Sequence, residues 1–362
     1  MICLRKTLTV LCALTLCAPA GWAQNSPRRA ATAPAPAAQD ASAQSQADQG
    51  EPQARIRART ELVVVPVTVK DAGGGIVPDI RQEQFRIFED DVEQKIDLYS
   101  NEAFPISAVV LIDNDLPQRL AEQVDASLAA IAGGFSANDE AFVCRYDHVF
   151  HEGQGFTSDN DKLLTELKRS DLGSSPSVPS PGGPFSSGPT INGRPVGGGP
   201  IAEERTKSIQ AKTTKAVDDA VYAAAQLLMD RARERRKIIF LISDGVNGRN
   251  NTYKFDEVVK VLLSAGISVY GVGVGSAVLN RRFTVLSKYA KATGGDVYYA
   301  ARREELGDLY ARVTEEARNQ YTLAYTPRGT DRSLEYHSIE VRVRRPGLAI
   351  LARNGYYTGG VK

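Results

Sequence analysis

Carboxylate side chains close two strongly apolar runs of this 362-residue chain, and cation binding is the chemistry that they suggest. Asp113 ends the run "ISAVVLID", and Asp244 ends the run "KIIFLISD". Asp115 follows Asp113 after one residue, so a turn there could aim both carboxylates at one point. Hard divalent ions such as Mg²⁺ prefer oxygen ligands of this kind. The sequence therefore predicts a metal site at Asp113, Asp115 and Asp244.

A threonine hydroxyl could complete such a site. Thr213 and Thr214 open the stretch "TTKAVDDAVYAAAQLLM", whose apolar spacing predicts a long helix. Either hydroxyl could supply a further oxygen ligand, because neutral oxygens also suit these ions. We take Thr214 as the ligand and keep Thr213 as the alternative, since the register of the helix start is open.

The elements that must position these residues alternate between strand and helix over residues 105–318. This alternation predicts an α/β fold with a doubly wound, mostly parallel sheet of Rossmann-like type. Sheets of this kind bind ligands outside the carboxyl ends of their strands. Asp113 and Asp244 are both expected at such ends, which is why one crevice could hold them both.

Segments before and after this unit have a different pattern. Residues 59–104 contain period-two stretches such as "ELVVVPVTVK", and residues 319–358 contain three further strand patterns. Three strands need partners, and the earlier segment is the obvious source. We predict an accessory β-sandwich-like module that both segments build together.

The chain begins with the pattern of a signal peptide, which we place at residues 1–23. Residues 24–58 are rich in Ala, Pro and Gln and are expected to be a disordered tether. Residues 173–200 are rich in Gly, Pro and Ser, so we expect a flexible loop there. The protein is therefore predicted to be exported, to the periplasm or beyond, with no transmembrane segment in the mature chain. A formal charge of +1 indicates no general attraction to nucleic acid.

The remaining reactive residue types give no sign of catalysis. Three of the four cysteines lie in the signal segment, so Cys144 cannot form an internal disulfide and is expected to be a small buried hydrophobe. His337 opens a C-terminal strand pattern and is expected to be exposed. No nucleophile–base pair stands out among the three histidines and this cysteine. The sequence therefore predicts that the protein is not an enzyme.

The order of the motifs resembles the von Willebrand factor type A domain. "VVLID", "TTKAVDDAV", "IIFLISDG" and "ISVYGVGVG" occur in that family's order, over about residues 105–318. The flanking stretches "VPVTVKD" and "QYTLAYTP" extend the resemblance to a family of bacterial exported proteins with a related domain, first described in acidobacteria.

This resemblance implies a metal-ion-dependent adhesion site, written Asp-x-Ser-x-Ser with a distant Thr and a distant Asp. Asp113 matches the first position and Asp244 the last, while Thr214 or Thr213 matches the threonine. Asp115 stands in place of the first serine, and Pro117 stands in place of the second. The site is therefore expected to be degenerate, because one ligand is lost and one negative charge is added. An acidic ligand would be repelled by that charge.

Three functions remain open at this point. The first is an exported, non-catalytic adhesion or protein-interaction module that binds a protein or cell-envelope partner and holds Mg²⁺, Mn²⁺ or Ca²⁺. The second is a structural envelope protein that binds its partners without metal. The third is a metal-dependent hydrolase that uses the acidic cluster.

Overall fold

The computed structural model describes residues 62–169, 190–191, 194–195, 215–328 and 335–358. The predicted signal peptide, the predicted tether and most of the predicted 173–200 loop lie outside the described residues, as do Thr213 and Thr214.

The secondary structure begins with four strands and then alternates. The strands are β1 (Val63–Lys70), β2 (Phe85–Glu89), β3 (Val92–Gln94), β4 (Ile96–Ser100), β5 (Ile106–Asp113), β6 (Glu140–Tyr146), β7 (Phe150–Glu152), β8 (Thr190–Ile191), β9 (Arg194–Pro195), β10 (Arg236–Ser243), β11 (Ile267–Gly273), β12 (Val297–Tyr299), β13 (Tyr321–Tyr325), β14 (Tyr336–Val343), β15 (Ala349–Ala352) and β16 (Gly355–Tyr357). The helices are α1 (Gln118–Asp125), α2 (Leu128–Gly134), α3 (Asn160–Leu167), α4 (Val217–Met229), α5 (Phe255–Ala265), α6 (Ser276–Leu279), α7 (Val285–Thr293) and α8 (Arg303–Arg318).

A six-stranded sheet forms the centre of the α/β part, in the order β12-β11-β10-β5-β6-β7. All neighbouring strands in it are parallel except β7, which pairs antiparallel with β6. Chain order and spatial order differ, as in a doubly wound sheet. The predicted fold class is confirmed.

Helices cover both faces of this sheet, which explains why its inner strands are apolar throughout. Every residue of β5 is buried, but alternate residues belong to different cores. Val110 and Ile112 face the cluster that includes α1, α2, α3 and α8. Val109 and Leu111 face the cluster that includes α4, α5 and α7. A strand buried on both faces is therefore read in sequence as a continuous apolar run.

The β-module consists of two antiparallel sheets, in the orders β15-β1-β13-β4 and β16-β14-β2-β3. Each sheet combines strands from before and after the α/β part, so neither segment could form it alone. The side chains between the sheets include Val65, Val67 and Ile87, all fully buried. Period-two alternation in β1 buries one face, as its sequence pattern indicates.

A buried lysine joins the β-module to the α/β part, and we call its contacts the Lys70 junction. Lys70 is the last residue of β1, and its ammonium group pairs with the carboxylates of Asp296 and of Glu316 in α8. The ammonium group also donates to the hydroxyl of Tyr298 at 2.7 Å. Lys70 and Glu316 are both buried, so each charge depends on the other for compensation.

Two expectations about single residues have different outcomes. Cys144 is buried as predicted, and burial raises the pKa of its thiol to about 12, so the thiol stays protonated. The expectation that His337 is exposed is wrong, because this residue lies on the buried face of β14 with Ile339 and Val341 and is 1% exposed. In the described part of the chain, no helix has the length and hydropathy needed to cross a bilayer.

Candidate functional site

Two of the predicted ligands meet where β5 and β10 end side by side. These strands pair directly, with Ile112 opposite Ile242, so Asp113 is level with Ser243 and Asp244 follows one residue later. Asp113 is 2% exposed and Asp244 is 9% exposed. Gly245 comes next with a φ of +76°, a conformation that favours glycine and turns the chain away immediately after Asp244. The crevice is therefore built by the strand ends, as the sequence predicts.

A lysine that the sequence analysis did not consider lies between the two carboxylates. The Nζ atom of Lys215 is 3.0 Å from Asp113 Oδ2 and 3.0 Å from Asp244 Oδ2, and the residue is 3% exposed. Burial lowers the pKa of Lys215, but the charges of Asp113 and Asp244 raise the pKa by more, and the net direction is upward. The ammonium group therefore stays charged and acts as the counter-ion of both carboxylates.

Other groups of the chain also donate hydrogen bonds to the carboxylate oxygens of Asp113 and Asp244. Ser243 Oγ donates to Asp113 Oδ2 at 2.9 Å, and the backbone N–H of Asp115 donates to Asp113 Oδ1 at 3.0 Å. The backbone N–H of Val246 donates to Asp244 Oδ1 at 3.1 Å. All four carboxylate oxygens thus accept hydrogen bonds from the chain. Burial raises the pKa of Asp113, and Lys215 and Ser243 oppose that rise.

Asp115, a further predicted ligand, does not lie with Asp113 and Asp244 in the crevice. Asp115 is exposed and contributes its backbone N–H rather than its carboxylate. Within the described residues, the carboxylates of Asp113, Asp115 and Asp244 do not form a group whose ligand atoms all lie within 4.8 Å of one another. Thr214 and its alternative Thr213 are outside the described residues, so their roles stay predictions.

The residues present fit an ammonium group better than a divalent ion. A bound Mg²⁺ requires oxygen ligands at about 2.1 Å in an octahedron. Here the point between Asp113 and Asp244 is taken by Lys215 Nζ, at distances of 3.0 Å that are typical of charge-assisted hydrogen bonds. A cation placed there would meet a positive charge inside its own ligand shell. A divalent ion does not fit this arrangement.

Backbone contacts on both sides of Lys215 fix its position. Its carbonyl accepts the N–H of Gly248 at 2.7 Å, from the loop that follows Asp244. The N–H of Ala216, the next residue, donates to the carbonyl of Asp147 at 2.8 Å, beyond the end of β6. Lys215 is therefore held between the loops that follow β6 and β10, with its side chain over the strand ends.

Asparagines from the loop after β10 cap the start of α4. Asn247 Oδ1 accepts the N–H of Val217 at 3.2 Å, and Asn251 Oδ1 accepts the N–H of Asp218 at 3.0 Å. Asn247 Nδ2 in turn donates to Asp218 Oδ2 at 2.8 Å. The N-cap residue of α4 is Ala216, which has no side-chain acceptor, so these asparagines satisfy the free N–H groups.

Exposed apolar side chains lie beside the crevice on the segment 275–284. Leu279 is 86% exposed and Phe283 is 83% exposed. Ser276 Oγ donates to the carbonyl of Asp244 at 2.9 Å and so connects this segment to the strand end. An isolated exposed leucine is ordinary, but two large apolar side chains on one short segment indicate a contact surface.

Exposed arginines lie on the segment 275–284 and on the two segments that adjoin it. Gly275 packs against Leu120 of α1, and the guanidinium of Arg281 lies over the ring of Tyr299, so three segments adjoin here. A cavity of about 430 Å³ between the starts of α1 and α8 is lined by Arg119, Arg302 and Arg303, among others. We call the following exposed residues the docking face: Arg119, Leu279, Arg281, Arg282, Phe283, Arg302 and Arg303.

A second cluster of ligating side chains lies in the β-module. Glu89, Asp90 and His337 are the described residues whose ligand atoms come within 4.8 Å of one another. His337 Nδ1 and Asp90 Oδ2 are 2.6 Å apart, a hydrogen-bond separation, and Asp90 Oδ1 accepts the N–H of Ser338 at 2.9 Å. Asp90 has a φ of +46° in the turn between β2 and β3. These contacts attach that turn to β14.

The fold and the position of the site define a class of protein. A doubly wound sheet with paired aspartates at the carboxyl ends of adjacent strands is the architecture of the von Willebrand factor A domain, as the sequence resemblance implies. The family model for the von Willebrand factor type A domain matches residues 203–312. The chain therefore contains a segment that is similar to the von Willebrand factor type A domain. Domains of this type are typically non-catalytic interaction modules, and they often bind a divalent ion.

Several solved structures are similar to this chain at low identity. The BatB protein of Bacteroides thetaiotaomicron is 14% identical with a TM-score of 0.39, over 59% of this chain and 98% of that one. A von Willebrand factor type A protein of Catenulispora acidiphila is 9% identical with a TM-score of 0.41, over 83% of this chain and 74% of that one. Proximal thread matrix protein 1 of the mussel byssus, in a form with zinc in its metal site, is 12% identical with a TM-score of 0.40, over 63% of this chain and 49% of that one.

The chain spans about half the length of the mussel protein. None of the curated proteins compared with the chain matches it. Membership of the bacterial exported family first described in acidobacteria therefore stays a prediction.

Proposed function

We propose that this protein is an exported, non-catalytic interaction module that binds an acidic surface of a partner protein through its docking face. The observation that carries the proposal is the exposure of Leu279 and Phe283 beside the strand-end crevice. Burying apolar area at a contact is favourable by about 25 cal/mol per Å², and a few residues of an interface commonly carry most of the binding energy. The interaction function of the domain class agrees with this reading.

The charge of the docking face supports an acidic partner. Arg281 and Arg282 are exposed on the segment 275–284, which contains no acidic residue. The adjoining cavity is lined by Arg119, Arg302 and Arg303 and by two acids, Glu122 and Glu304. Arginine pairs well with carboxylates because its planar fork donates two parallel hydrogen bonds. We therefore expect binding to weaken as salt concentration rises, since exposed charges are screened within about 10 Å at 0.1 M salt.

The proposal requires no divalent ion, although the sequence predicts Mg²⁺, Mn²⁺ or Ca²⁺ at the crevice. Lys215 already balances Asp113 and Asp244, so an acidic partner would meet arginines rather than a metal. The second function from the sequence analysis, a structural envelope protein, would place partner contacts elsewhere, for example on the β-module. The hydrolase hypothesis gains no support, because its acidic cluster is closed by this lysine.

Export is part of the proposal and is supported by the sequence of residues 1–23. A positively charged start, a short apolar stretch and small residues before the expected cleavage point are the features of a signal peptide. Periplasmic and secreted destinations share this signal. The partner is therefore sought in the cell envelope or outside the cell.

Photo-crosslinking in intact cells of the source organism tests the proposal. A photoreactive residue replaces Phe283 in one variant and Leu98, a 45% exposed residue of β4, in the control variant. We expect a discrete crosslinked partner from position 283 and none from position 98. The crosslink should persist in the presence of a chelator, because no metal takes part. The paired substitutions Arg281→Glu and Arg282→Glu should reduce it, because they reverse the charge of the docking face.

Other outcomes would count against the proposal in distinct ways. Equal crosslinking from positions 283 and 98 would show that the docking face is not selective. Crosslinking from position 98 alone would favour the structural envelope protein. Loss of the position 283 crosslink on chelation would mean that a metal ion mediates the contact.

A further inference from the structure

The nitrogen atom of Lys215 occupies the point where a divalent ion would have to bind. Its two distances to the carboxylates, from strand ends β5 and β10, are both 3.0 Å. The side chains of Lys215, Asp113 and Asp244 are 4%, 0% and 11% exposed, so water screens this charge group only weakly. Two carboxylates so placed require a nearby positive charge, because uncompensated buried charge is strongly unfavourable.

The substitutions at the predicted ligand positions are consistent with an ammonium ion and inconsistent with a metal. Pro117 offers no ligand atom, and Asp115 leaves the crevice for solvent. A divalent ion would lose those ligands, whereas an ammonium group needs only a few acceptors. Ser243 uses its hydroxyl to donate to Asp113, so it orients the carboxylate toward the lysine.

Backbone hydrogen bonds fix the position of Lys215 in the fold. Gly248 and Asp147, from the loops after β10 and β6, bind the peptide groups on either side of the residue. The asparagine cap of α4 fixes the next turn of chain. These hydrogen bonds hold the backbone of Lys215 on both sides. The contact of its ammonium group with Asp113 and Asp244 therefore follows from the fold.

We infer that Lys215 is a built-in cation that permanently replaces the divalent ion of the adhesion site. The site then carries its own charge balance and does not respond to the supply of Mg²⁺, Mn²⁺ or Ca²⁺. This inference is independent of partner binding at the docking face, and it holds or fails whether or not that face has a partner.

Titration with metal ions tests the inference directly. MnCl₂ is added to the wild-type protein, and free Mn²⁺ is followed by electron paramagnetic resonance; MgCl₂ binding is followed by calorimetry. We expect no uptake by the wild type at millimolar metal. Lys215→Ala, which frees both carboxylates, should take up Mn²⁺ with a Kd at least about tenfold below the metal concentration at which the wild type shows no uptake. Its melting temperature should rise with added MnCl₂, because a ligand that binds the folded state stabilises it.

Two further variants make the result decisive. Lys215→Arg keeps the charge and should take up no Mn²⁺, while Lys288→Ala removes an exposed lysine and should behave as the wild type. If Lys215→Ala fails to fold, the wild type and Lys215→Arg still give the answer. Uptake of one Mn²⁺ by the wild type, abolished by Asp113→Asn, would overturn the inference. A folded Lys215→Ala variant that takes up no Mn²⁺ would also overturn it.

Discussion

Replacing Lys215 with methionine is expected to lower the free energy of unfolding by about 3–5 kcal/mol, the usual cost of leaving a buried charge without its partner. Methionine keeps the apolar length of the side chain, so the loss arises from the charge and not from a cavity. Asp113 and Asp244 would then face each other with no cation between them. Urea unfolding in metal-free buffer at neutral pH measures the effect.

The matched control for this variant is Lys288→Met. Lys288 is exposed on α7, and its replacement should change the unfolding free energy by less than about 0.5 kcal/mol. A loss below about 1 kcal/mol for Lys215→Met would contradict the role given to this lysine, since such a value is typical of an exposed ion pair.

Asp139→Asn is expected to cost about 3 kcal/mol at neutral pH, because this carboxylate joins several elements inside the protein. Asp139 is 1% exposed. Its oxygens accept the backbone N–H groups of Ile106 and Ser136, both at 2.8 Å, and the guanidinium of Arg318. The start of β5 and the end of α8 therefore share one charged acceptor, and an amide would turn an N–H group toward these donors.

The same residue gives a dependence on pH with a defined sign. Burial raises the pKa of Asp139, but the hydrogen bonds from Ser136, Ile106 and Arg318 lower the pKa by more, and the net direction is downward. A lowered pKa means that the ionised carboxylate stabilises the folded state above the unfolded-state pKa of about 3.9. That contribution is lost as pH falls through the lower, folded-state pKa. The gap between wild type and variant should stay constant from about pH 7 to pH 5 and narrow below about pH 4.

Unfolding curves at neutral and acidic pH measure this gap. Asp161→Asn, at an exposed position in the first turn of α3, is the control and should show a small difference at every pH. A gap for Asp139→Asn that stays the same at low pH would show that its cost is steric and does not arise from the charge.

The fold could be predicted from the sequence because burial on two faces leaves an unmistakable pattern. The stretch Ile106–Asp113 is apolar almost throughout, and the structure buries every residue of it between two helical layers. The meeting of Asp113 and Asp244 followed from the same reasoning, since parallel neighbours end at one edge of a sheet. The pairing of early and late β-segments followed from the need of each strand for a partner.

The side chain that lies between Asp113 and Asp244 could not be predicted in the same way. Lys215 is one residue beyond Thr214, so the expected helix start was near the right place, but which side chain reaches the crevice depends on how the loops hold the backbone. The available signal was a lysine immediately before a run of apolar helix residues, at a position expected to be buried. The prediction that Asp115 is a ligand has a similar weakness, because the turn after β5 decides whether its carboxylate points into the crevice or into solvent. His337 was predicted to be exposed, but it shares the buried face of β14 with Ile339 and Val341.

The Lys70 junction has a mechanical consequence. Any hinge motion between the β-module and the α/β part would pull the ammonium group from Asp296 and Glu316, and Glu316 is 1% exposed. Such a motion is costly, because it would strand a buried carboxylate. A force applied at the docking face would therefore be transmitted through α8 to β1 of the β-module, because the Lys70 junction connects these two elements.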